Sequence, residues 1–364
     1  MRRVLLVLHR WIGIVLGLYV LVMGISGAAL VFQEEAASIS RVPKVRASTA
    51  PWMNPDLVAS KIRATFPDMH LHTLFWPEND ASPWFAEVKK GDIGYFGETA
   101  FAVYLHPTTG EILHVHNYGR SIWRILQVIH INLASGRSGR TVNSFLAMAA
   151  LFLVLTGLLV WLPGNSTRRR LWKINWKARP KRLIWELHQV AGIYSIVFFL
   201  LLCSTGAYFG WRAQIQEAIA AVFPMGVFNQ PAPRVEIPPN AEAKSISSFL
   251  PSVREQVPNY PIARVLFPEQ AGQPIRFMVY EGSRRESQRA SNLFYNPFTG
   301  ELLRADLYHN QLPGDRLLVW IPLIHFGAFG SFLMKMVWAV GGMLFPLMAI
   351  TGAIMFVGKS KPQS

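Results

Sequence analysis

Two matching apolar runs, each opened by a histidine, constrain this chain more than any other feature. The first follows His9 and covers residues 11–32, and the second follows His188 and covers residues 189–211 without a charge. A helix needs ~20 apolar residues to cross a bilayer, so both runs are long enough to span one. Both histidines are followed at equal spacing by a glycine and by a hydroxyl–glycine pair: Gly13 and Gly192, Ser26-Gly27 and Thr205-Gly206. The constant offset of 179 residues predicts an internal duplication whose units contain membrane spans.

The composition agrees with a membrane protein. Hydrophobic residues make up 51% of the chain and charged residues only 16%, which is unusual for a soluble globular protein. The net charge of +15 does not indicate a nucleic-acid partner, because much of the basic charge flanks the apolar runs, where it orients a membrane protein. We expect the first run to be a span rather than a signal peptide, because its repeat partner lies in mid-chain.

Redox chemistry based on thiols or bound nucleotides is not expected. The single cysteine, Cys203, lies inside an apolar run, so neither a disulfide framework nor a Cys-x-x-Cys pair is available within one chain. Glycine-rich nucleotide-binding motifs do not occur between a predicted strand and a predicted helix. We therefore expect no bound flavin or NAD.

The order of apolar and polar segments predicts a membrane α-helical protein with four transmembrane helices. The predicted segments are a first span (1–33), an outer module (34–120), an interfacial helix (121–141), a second span (142–163), a basic loop (164–187), a third span (188–212), a second outer module (213–315), a second interfacial helix (316–335), a fourth span (336–358) and a tail (359–364). The basic residues of the loop are Arg168, Arg169, Arg170, Lys173, Lys177, Arg179, Lys181 and Arg182. The positive-inside rule then predicts cytoplasmic termini and two periplasmic modules on a bacterial inner membrane.

The two outer modules contain matching sequences. YLHPTTGEIL at 104–113 matches FYNPFTGELL at 294–303, and both predict a strand, a Pro-x-Thr-Gly turn and a second strand. An amphipathic helix is predicted before each, at 57–66 and 246–257. Each module is therefore expected to be α+β, with one helix packed on a small antiparallel sheet.

A third repeated piece follows each module and contains a histidine, His130 or His325. We interpret both pieces as helices at the periplasmic interface, because the first is only about 14 residues long, too short to cross a bilayer. A Thr-Gly pair follows each histidine by 26 residues, inside the next span: Thr156-Gly157 and Thr351-Gly352.

Four histidines thus occupy repeat-matched positions, two near each membrane face. An ionisable side chain at membrane depth is costly and is a functional candidate. Facing imidazoles from neighbouring helices suit a low-spin haem, which suggests the pairs His9 with His188 and His130 with His325. A proton relay or direct iron binding are alternatives, although a relay usually also needs a buried carboxylate and no predicted span contains one. The hydroxyl–glycine pairs suit close helix packing, or space for a flat macrocycle.

Other polar residues have weaker signals. Arg10, Arg124 and Arg316 are candidate contacts for haem propionates, and interfacial snorkelling is the alternative for each. His70 with His72, and His114 with His116, have a spacing that can bind metal, but solvated surface histidines are common. His106 aligns with Asn296 at the Pro-x-Thr-Gly turn, which indicates turn chemistry.

These residues together resemble the PepSY-associated transmembrane proteins over nearly the whole chain. The resemblance is carried by HRWIG at 9–13, ELHQVAG at 186–192, PTTGE at 107–111 and PFTGE at 297–301. Within that family the chain looks like the FoxB-type inner-membrane ferrisiderophore (ferrioxamine) reductases. The resemblance implies an oxidoreductase with two haems b, ligated by His9, His130, His188 and His325, that reduces a ferric siderophore in the periplasm. Its electrons would come from quinol or a separate cytoplasmic reductase.

Two other functions remain open on the sequence. The first is a non-enzymatic sensor, binding protein or transporter accessory that uses its outer modules to bind peptide or cell-wall material. The second is a transporter built on parallel repeats, which is disfavoured by four spans with no broken or charged helix.

Overall fold

In the computed structural model the chain forms a helical unit and a sheet unit. The helical unit is Met1–Gln33, Ile125–Glu217 and Ile321–Ser364, and the sheet unit is Glu34–Arg124 and Ala218–Trp320. The residues that the structure describes are 2–33, 35, 43–90, 99–162, 172–226, 230–239, 241–258, 260–282 and 289–359. Arg168, Arg169 and Arg170 of the predicted basic loop, and most of the tail, lie outside them.

Ten α-helices are present in the described residues. In chain order they are α1 Arg2–Leu30, α2 Pro55–Thr65, α3 Ile122–Asn132, α4 Gly136–Trp161, α5 Pro180–Tyr194, α6 Ile196–Tyr208, α7 Arg212–Ala220, α8 Ile246–Gln256, α9 Pro313–Phe326 and α10 Phe332–Lys359. The strands are β1 His70–Phe75, β2 Trp84–Lys90, β3 Thr99–Leu105, β4 Ile112–Asn117, β5 Ile262–Leu266, β6 Ile275–Tyr280, β7 Ala290–Tyr295 and β8 Leu302–Asp306.

Three of the described helices, α1, α4 and α10, are long and apolar enough to cross a membrane. A fourth candidate is the pair α5 and α6, whose axes are bent by 64°. The protein is therefore a membrane-associated helical protein with three or four candidate spans. The short helices α3 and α9 have 11 and 14 residues, too few to span.

The bend at Ser195 departs from the sequence prediction. The uncharged run 189–211 predicts one straight span, and the absence of a broken helix was an argument against a transporter. Ser195 is fully buried, and its hydroxyl donates to the carbonyl of Ala191 at 2.5 Å. A helix broken at this position is therefore present, and that argument does not hold.

The long helices form a closed bundle in which α1 packs against α4 and α10, and α6 packs against the same two helices. Close approach of α1 and α10 depends on Gly24, where a Cβ would lie 2.4 Å from Cδ of Pro346. Small residues commonly permit such contacts between membrane helices. An apolar cluster of Leu16, Val20 and Cys203, with Ala150 of α4, fills the middle of the bundle.

The sheet unit contains one antiparallel sheet of eight strands in the order β4-β3-β2-β1-β5-β6-β7-β8. The sequence predicts two separate small sheets. Instead, β1 and β5 pair through Thr73 with Leu266, Leu74 with Val265, and Phe75 with Arg264. This pairing joins two four-strand meanders, because it satisfies backbone groups that would otherwise be left at two exposed edges.

Helices α2 and α8 cover one face of the sheet with a shared core. Its fully buried members include Val58, Ile62, Phe249, Phe277 and Leu293. The two helices are also joined by Asp56 of α2, whose carboxylate accepts the backbone N–H of Ser247 at the start of α8 at 3.1 Å. A carboxylate stabilises a helix N-terminus by satisfying its free N–H groups.

Candidate functional site

The first histidine pair is His9 on α1 and His188 on α5. Their ring centroids lie 6.4 Å apart with planes at 75°. Both side chains are partly buried in the helical unit. The two residues therefore meet, as their matched depth predicts, although they are 179 residues apart in the chain.

The second pair is His130 on α3 and His325 on α9. The ring centroids lie 6.1 Å apart, with planes at 47°. His130 is near the C-terminus of α3, whose last carbonyls are held by Asn143: its amide nitrogen donates to His130 O at 2.8 Å and to Ile131 O at 3.0 Å. Tyr19 completes the support by donating to Asn143 Oδ1 at 2.9 Å.

Each of the four rings lies against one of the hydroxyl–glycine pairs, which we call histidine seats. The Nδ1-to-hydroxyl distances are 3.2 Å for His9 and Thr156, 2.9 Å for His130 and Ser26, 2.8 Å for His188 and Thr351, and 2.9 Å for His325 and Thr205. Every seat is on a different helix from its histidine. Four repetitions of one contact give each imidazole a fixed orientation.

The seats also assign the tautomer of each histidine. Each seat hydroxyl already donates its one hydrogen to a backbone carbonyl of its own helix: Ser26 to Val22 at 2.6 Å, Thr156 to Leu153 at 2.9 Å, Thr205 to Leu201 at 2.6 Å, and Thr351 to Leu347 at 2.7 Å. A hydroxyl with its hydrogen so used can only accept, so Nδ1 of the histidine carries the proton. His9 supports this independently, because its Nδ1 also lies 3.1 Å from the Leu153 carbonyl oxygen. Nε2 is then the atom with a free lone pair.

The glycine of each seat has no side chain that could collide with the imidazole. A Cβ at Gly27 would lie 2.8 Å from Cε1 of His130, and a Cβ at Gly157 would lie 2.9 Å from Cε1 of His9. The corresponding distances are 3.4 Å at both Gly206 and Gly352. Each pair thus has one tightly packed seat, on α1 or α4, and one looser seat, on α6 or α10.

The sequence shows the hydroxyl–glycine pairs but not their role. Spacing places Ser26-Gly27 seventeen residues after His9, which suggests that they belong together. In the structure Ser26-Gly27 serves His130, and Thr156-Gly157 serves His9. Only the helix packing reveals this exchange of partners.

The chemistry of the two pairs suits a metal centre with two axial nitrogen ligands. Each pair offers two neutral imidazoles, with the proton on Nδ1 and the lone pair on Nε2, and a hydrogen-bonded Nδ1 is what metal-ligating histidines usually have. Within the described residues no group of three or more His, Cys, Asp or Glu side chains could hold a bare metal ion.

The predicted arginine contacts lie in different surroundings. Arg10, in α1, places its guanidinium 5.5 Å from the ring centroid of Phe356, a cation–π contact. Arg124 and Arg316 belong to the sheet unit, in α3 and α9. A propionate role for the three arginines stays a prediction.

Four other histidines, all in the sheet unit, have contacts of their own. His72 Nδ1 lies 2.8 Å from Glu269 Oε1, which also accepts a hydrogen bond from Lys89 at 2.6 Å. His114 and His116 stack on the edge strand β4 with centroids 6.4 Å apart. His106 accepts the backbone N–H of Thr108 at its turn, at 3.4 Å. Asn296 accepts the N–H of Phe298 at 2.9 Å, so the two aligned residues perform the same turn function.

Comparison with known proteins gives a family for the whole arrangement. No curated protein matches the chain. The family model described as the PepSY-associated TM region matches residues 6–359, which include all four paired histidines, all four seats and the eight-stranded sheet. The chain therefore belongs to the PepSY-associated transmembrane family.

Proposed function

We propose that this protein is a di-haem b reductase of the bacterial inner membrane, which passes electrons across the membrane, reduces an Fe(III)-siderophore in the periplasm and so releases the iron. The observation that carries the proposal is the fourfold histidine seat, arranged as two facing pairs. Such a contact is expected where four imidazoles must be held in one orientation and one tautomer.

The residues of each pair fit a haem held by two histidines. In each pair the two imidazoles would hold one haem, with Nε2 as the nitrogen offered to its iron. The ring centroids lie 6.4 and 6.1 Å apart, so the two imidazoles of each pair are close enough to contact the same group. The seat glycines leave each imidazole without a neighbouring Cβ, and a bound haem would supply a one-electron carrier at each pair.

The spacing of the two pairs fits an electron path across a membrane. His9 and Ser26, which contacts His130, are seventeen residues apart on α1, about 25 Å along a helix axis. A hydrocarbon core is about 30 Å thick. One pair would then lie near each face, and the apolar cluster around Leu16 and Val20 would exclude water between them.

The finer topology is part of the proposal. An internal duplication would give four spans, with α5 and α6 together forming the third, and both termini in the cytoplasm. Lys173, Lys177 and Lys181 would then lie on the cytoplasmic side, consistent with the positive-inside rule. The sheet unit would be periplasmic. Quinol or a separate cytoplasmic reductase would supply the electrons.

The test is to purify the protein in detergent and to record its oxidised and reduced visible spectra, with haem quantified per chain. We expect b-type bands and about two haems per polypeptide, as two bis-histidine sites require. Proteoliposomes containing a reduced quinol analogue should then reduce an external ferric hydroxamate, measured by an Fe(II) indicator. A protein that takes up no haem on reconstitution would contradict the proposal and favour a non-enzymatic binding role for the sheet unit.

A further inference from the structure

A buried carboxylate in the sheet unit holds an exposed imidazole. Glu281 follows β6, and its side chain is 5% exposed, whereas the side chain of His309 is 55% exposed. His309 Nδ1 lies 2.7 Å from Glu281 Oε2. A carboxylate can only accept here, so the proton of this bond is on Nδ1 and the Nε2 edge of the ring is the one left to solvent.

The other oxygen of Glu281 is used to fix the carboxylate. Oε1 accepts the backbone N–H of Tyr308 at 3.1 Å and the hydroxyl of Ser291, which is fully buried. The two oxygens therefore have different partners. Oε1 is bonded to β7 and to the chain after β8, and Oε2 is bonded to His309. Such an arrangement fixes the orientation of the ring, as a buried carboxylate does beside a catalytic histidine.

The fold does not need an imidazole at this position. His309 lies in a 3₁₀ turn, Tyr308–Asn310, that follows β8. The same turn follows β4 at Tyr118–Arg120, and there the position of His309 is taken by Gly119. Because the turn forms with glycine, the requirement for His309 is chemical rather than conformational.

We propose that His309, positioned by Glu281, is the acid that protonates the siderophore oxygens as iron is released. This inference rests on the proposed function. One electron reduces Fe(III) to Fe(II). As an Fe–O bond breaks, its electron pair stays on oxygen, and that oxygen takes the proton from Nε2 of His309. Fe(II) leaves, and the imidazole regains a proton from water. For a hydroxamate, one proton is used for each hydroxamate group set free, because only its N–O oxygen is anionic and the carbonyl oxygen leaves iron neutral.

Other charged groups lie on the chain segments next to the pair. Besides Glu281, the Arg289 guanidinium lies 5.9 Å from the centroid of the Tyr308 ring. The Arg304–Asp306 ion pair of β8 has a 2.8 Å contact, and Asp315 lies in the first turn of α9. None of these needs to change in the experiment.

The experiment compares two acceptors in proteoliposomes that contain the full-length, haem-loaded protein. Ferricyanide takes an electron without needing a proton, whereas a ferric hydroxamate needs protons to release its iron. General acids typically contribute about 10²- to 10⁴-fold, so His309→Gly should lower Fe(II) release from the hydroxamate at least tenfold and leave ferricyanide reduction unchanged. Glycine is chosen because Gly119 occupies the matching turn. Added imidazole should restore part of the lost rate.

Further variants and measurements separate this idea from its alternatives. Glu281→Gln keeps an acceptor for Ser291 and should reduce kcat for the hydroxamate less than His309→Gly does, with KM and haem content unchanged. His106→Asn, which copies the residue at the aligned turn, should change neither acceptor. Equal loss with both acceptors in His309→Gly, or no loss with either, would overturn the proton-donor role. Failure of the native protein to reduce ferricyanide would instead overturn the reductase itself.

Discussion

The N-terminal and C-terminal halves of the chain share their membrane chemistry and differ in their sheet chemistry. Each half contributes one histidine to each pair, and each half supplies two of the four seats. In the sheet, by contrast, His114 and His116 of β4 align with Arg304 and Asp306 of β8, which form an ion pair. The exposed His309 aligns with Gly119. What both halves contain is thus what a symmetric pair of sites requires, whereas an imidazole at this turn, held by Glu281, is found in the C-terminal half and is replaced by Gly119 in the N-terminal half.

The largest expected effect tests whether each histidine pair needs one histidine from each half of the chain. His9→Ala and His188→Ala should each remove one of two haems, because a bis-histidine site that loses either ligand no longer holds its iron from both faces. The double variant should lose no more than either single variant. Haem per chain in the purified protein is the measurement, with His106→Asn as a folded control that should retain both haems.

A combination across the pairs sharpens the same comparison. His9→Ala with His130→Ala removes ligands only from the N-terminal half, yet it should abolish both haems. Retention of one haem in this variant would mean that pairing runs within halves instead of between them.

Substitution of a seat glycine is expected to be more damaging in the N-terminal half of the chain than in the C-terminal half. Gly27→Ala and Gly157→Ala place a Cβ within 3.0 Å of an imidazole carbon, and overpacking of this kind costs about 1–3 kcal/mol. Each should lower the melting temperature and weaken haem retention at one pair. Gly206→Ala and Gly352→Ala meet the ring at 3.4 Å and should have a smaller effect. Equal sensitivity of all four would contradict the tight and loose assignment.

Removing a seat hydroxyl should cost about as much free energy as the loss of one hydrogen bond. Thr351→Val keeps the shape of the side chain but removes the acceptor for His188 Nδ1, which costs about 1 kcal/mol and, for a metal-bound histidine, about 10- to 100-fold in affinity. Thr351→Ser, which has the residue of the Ser26 seat, should behave as the native protein. Haem dissociation to an apo-globin acceptor measures the difference. The same loss in Thr351→Ser would show that the methyl group is what matters.

Low pH should weaken the β1–β5 pairing that joins the two four-strand meanders. Burial, then the nearby Lys89 charge, lowers the pKa of His72 to about 4 from its ordinary value of 6.5. The folded state keeps His72 neutral while the unfolded state takes up a proton, so its contribution to stability is full above about pH 6.5 and is lost as pH falls towards 4. We expect His72→Gln to reduce the drop in melting temperature between pH 7 and pH 5. His114→Gln, on the exposed edge strand, is the control.

The smallest effect concerns the ends of the two short helices. After α9 the chain turns at Gly327 with φ of 65°, whereas after α3 the left-handed positions are Leu133 and Ala134, with φ of 51° and 58°. A side chain in this conformation costs about 1–2 kcal/mol. Ala134→Gly should therefore raise stability by up to about 1 kcal/mol after the entropy of glycine is deducted, measured by thermal unfolding. Gly327→Ala should do the reverse, since its Cβ would lie 2.9 Å from Trp338.

Sequence reasoning was most successful where the repeat itself carried the information. The matched depth of His9 and His188 follows from one constant offset, and the shared turn role of His106 and Asn296 follows from alignment. The seats were visible but unassigned, because spacing along one helix does not say which neighbouring helix lies against it. The bend at Ser195 was missed because residues 189–211 contain no proline, the residue that most often breaks a helix.

The eight-stranded sheet was missed for a different reason. Each set of four strands has its own hydrophobic pattern and its own helix, so the sequence of each half predicts a complete small module. The β1–β5 contact involves three residue pairs, separated by about 190 residues in the chain. The Glu281–His309 pair was missed similarly, because β7 and β8 separate its two members.

The β1–β5 pairing also has a consequence for how the protein is made. When β1 has been synthesised, one of its edges has no partner until residues 262–266 are translated, which at about 5–20 residues per second takes about 10–40 s. Throughout that interval the N-terminal half-sheet presents a free strand edge, the feature that most readily recruits other chains. Meanwhile α4, α5 and α6 are translated. During this interval the first half of the chain has been synthesised, but the edge of β1 is unpaired. A chaperone that shields strand edges would have its greatest effect at this stage.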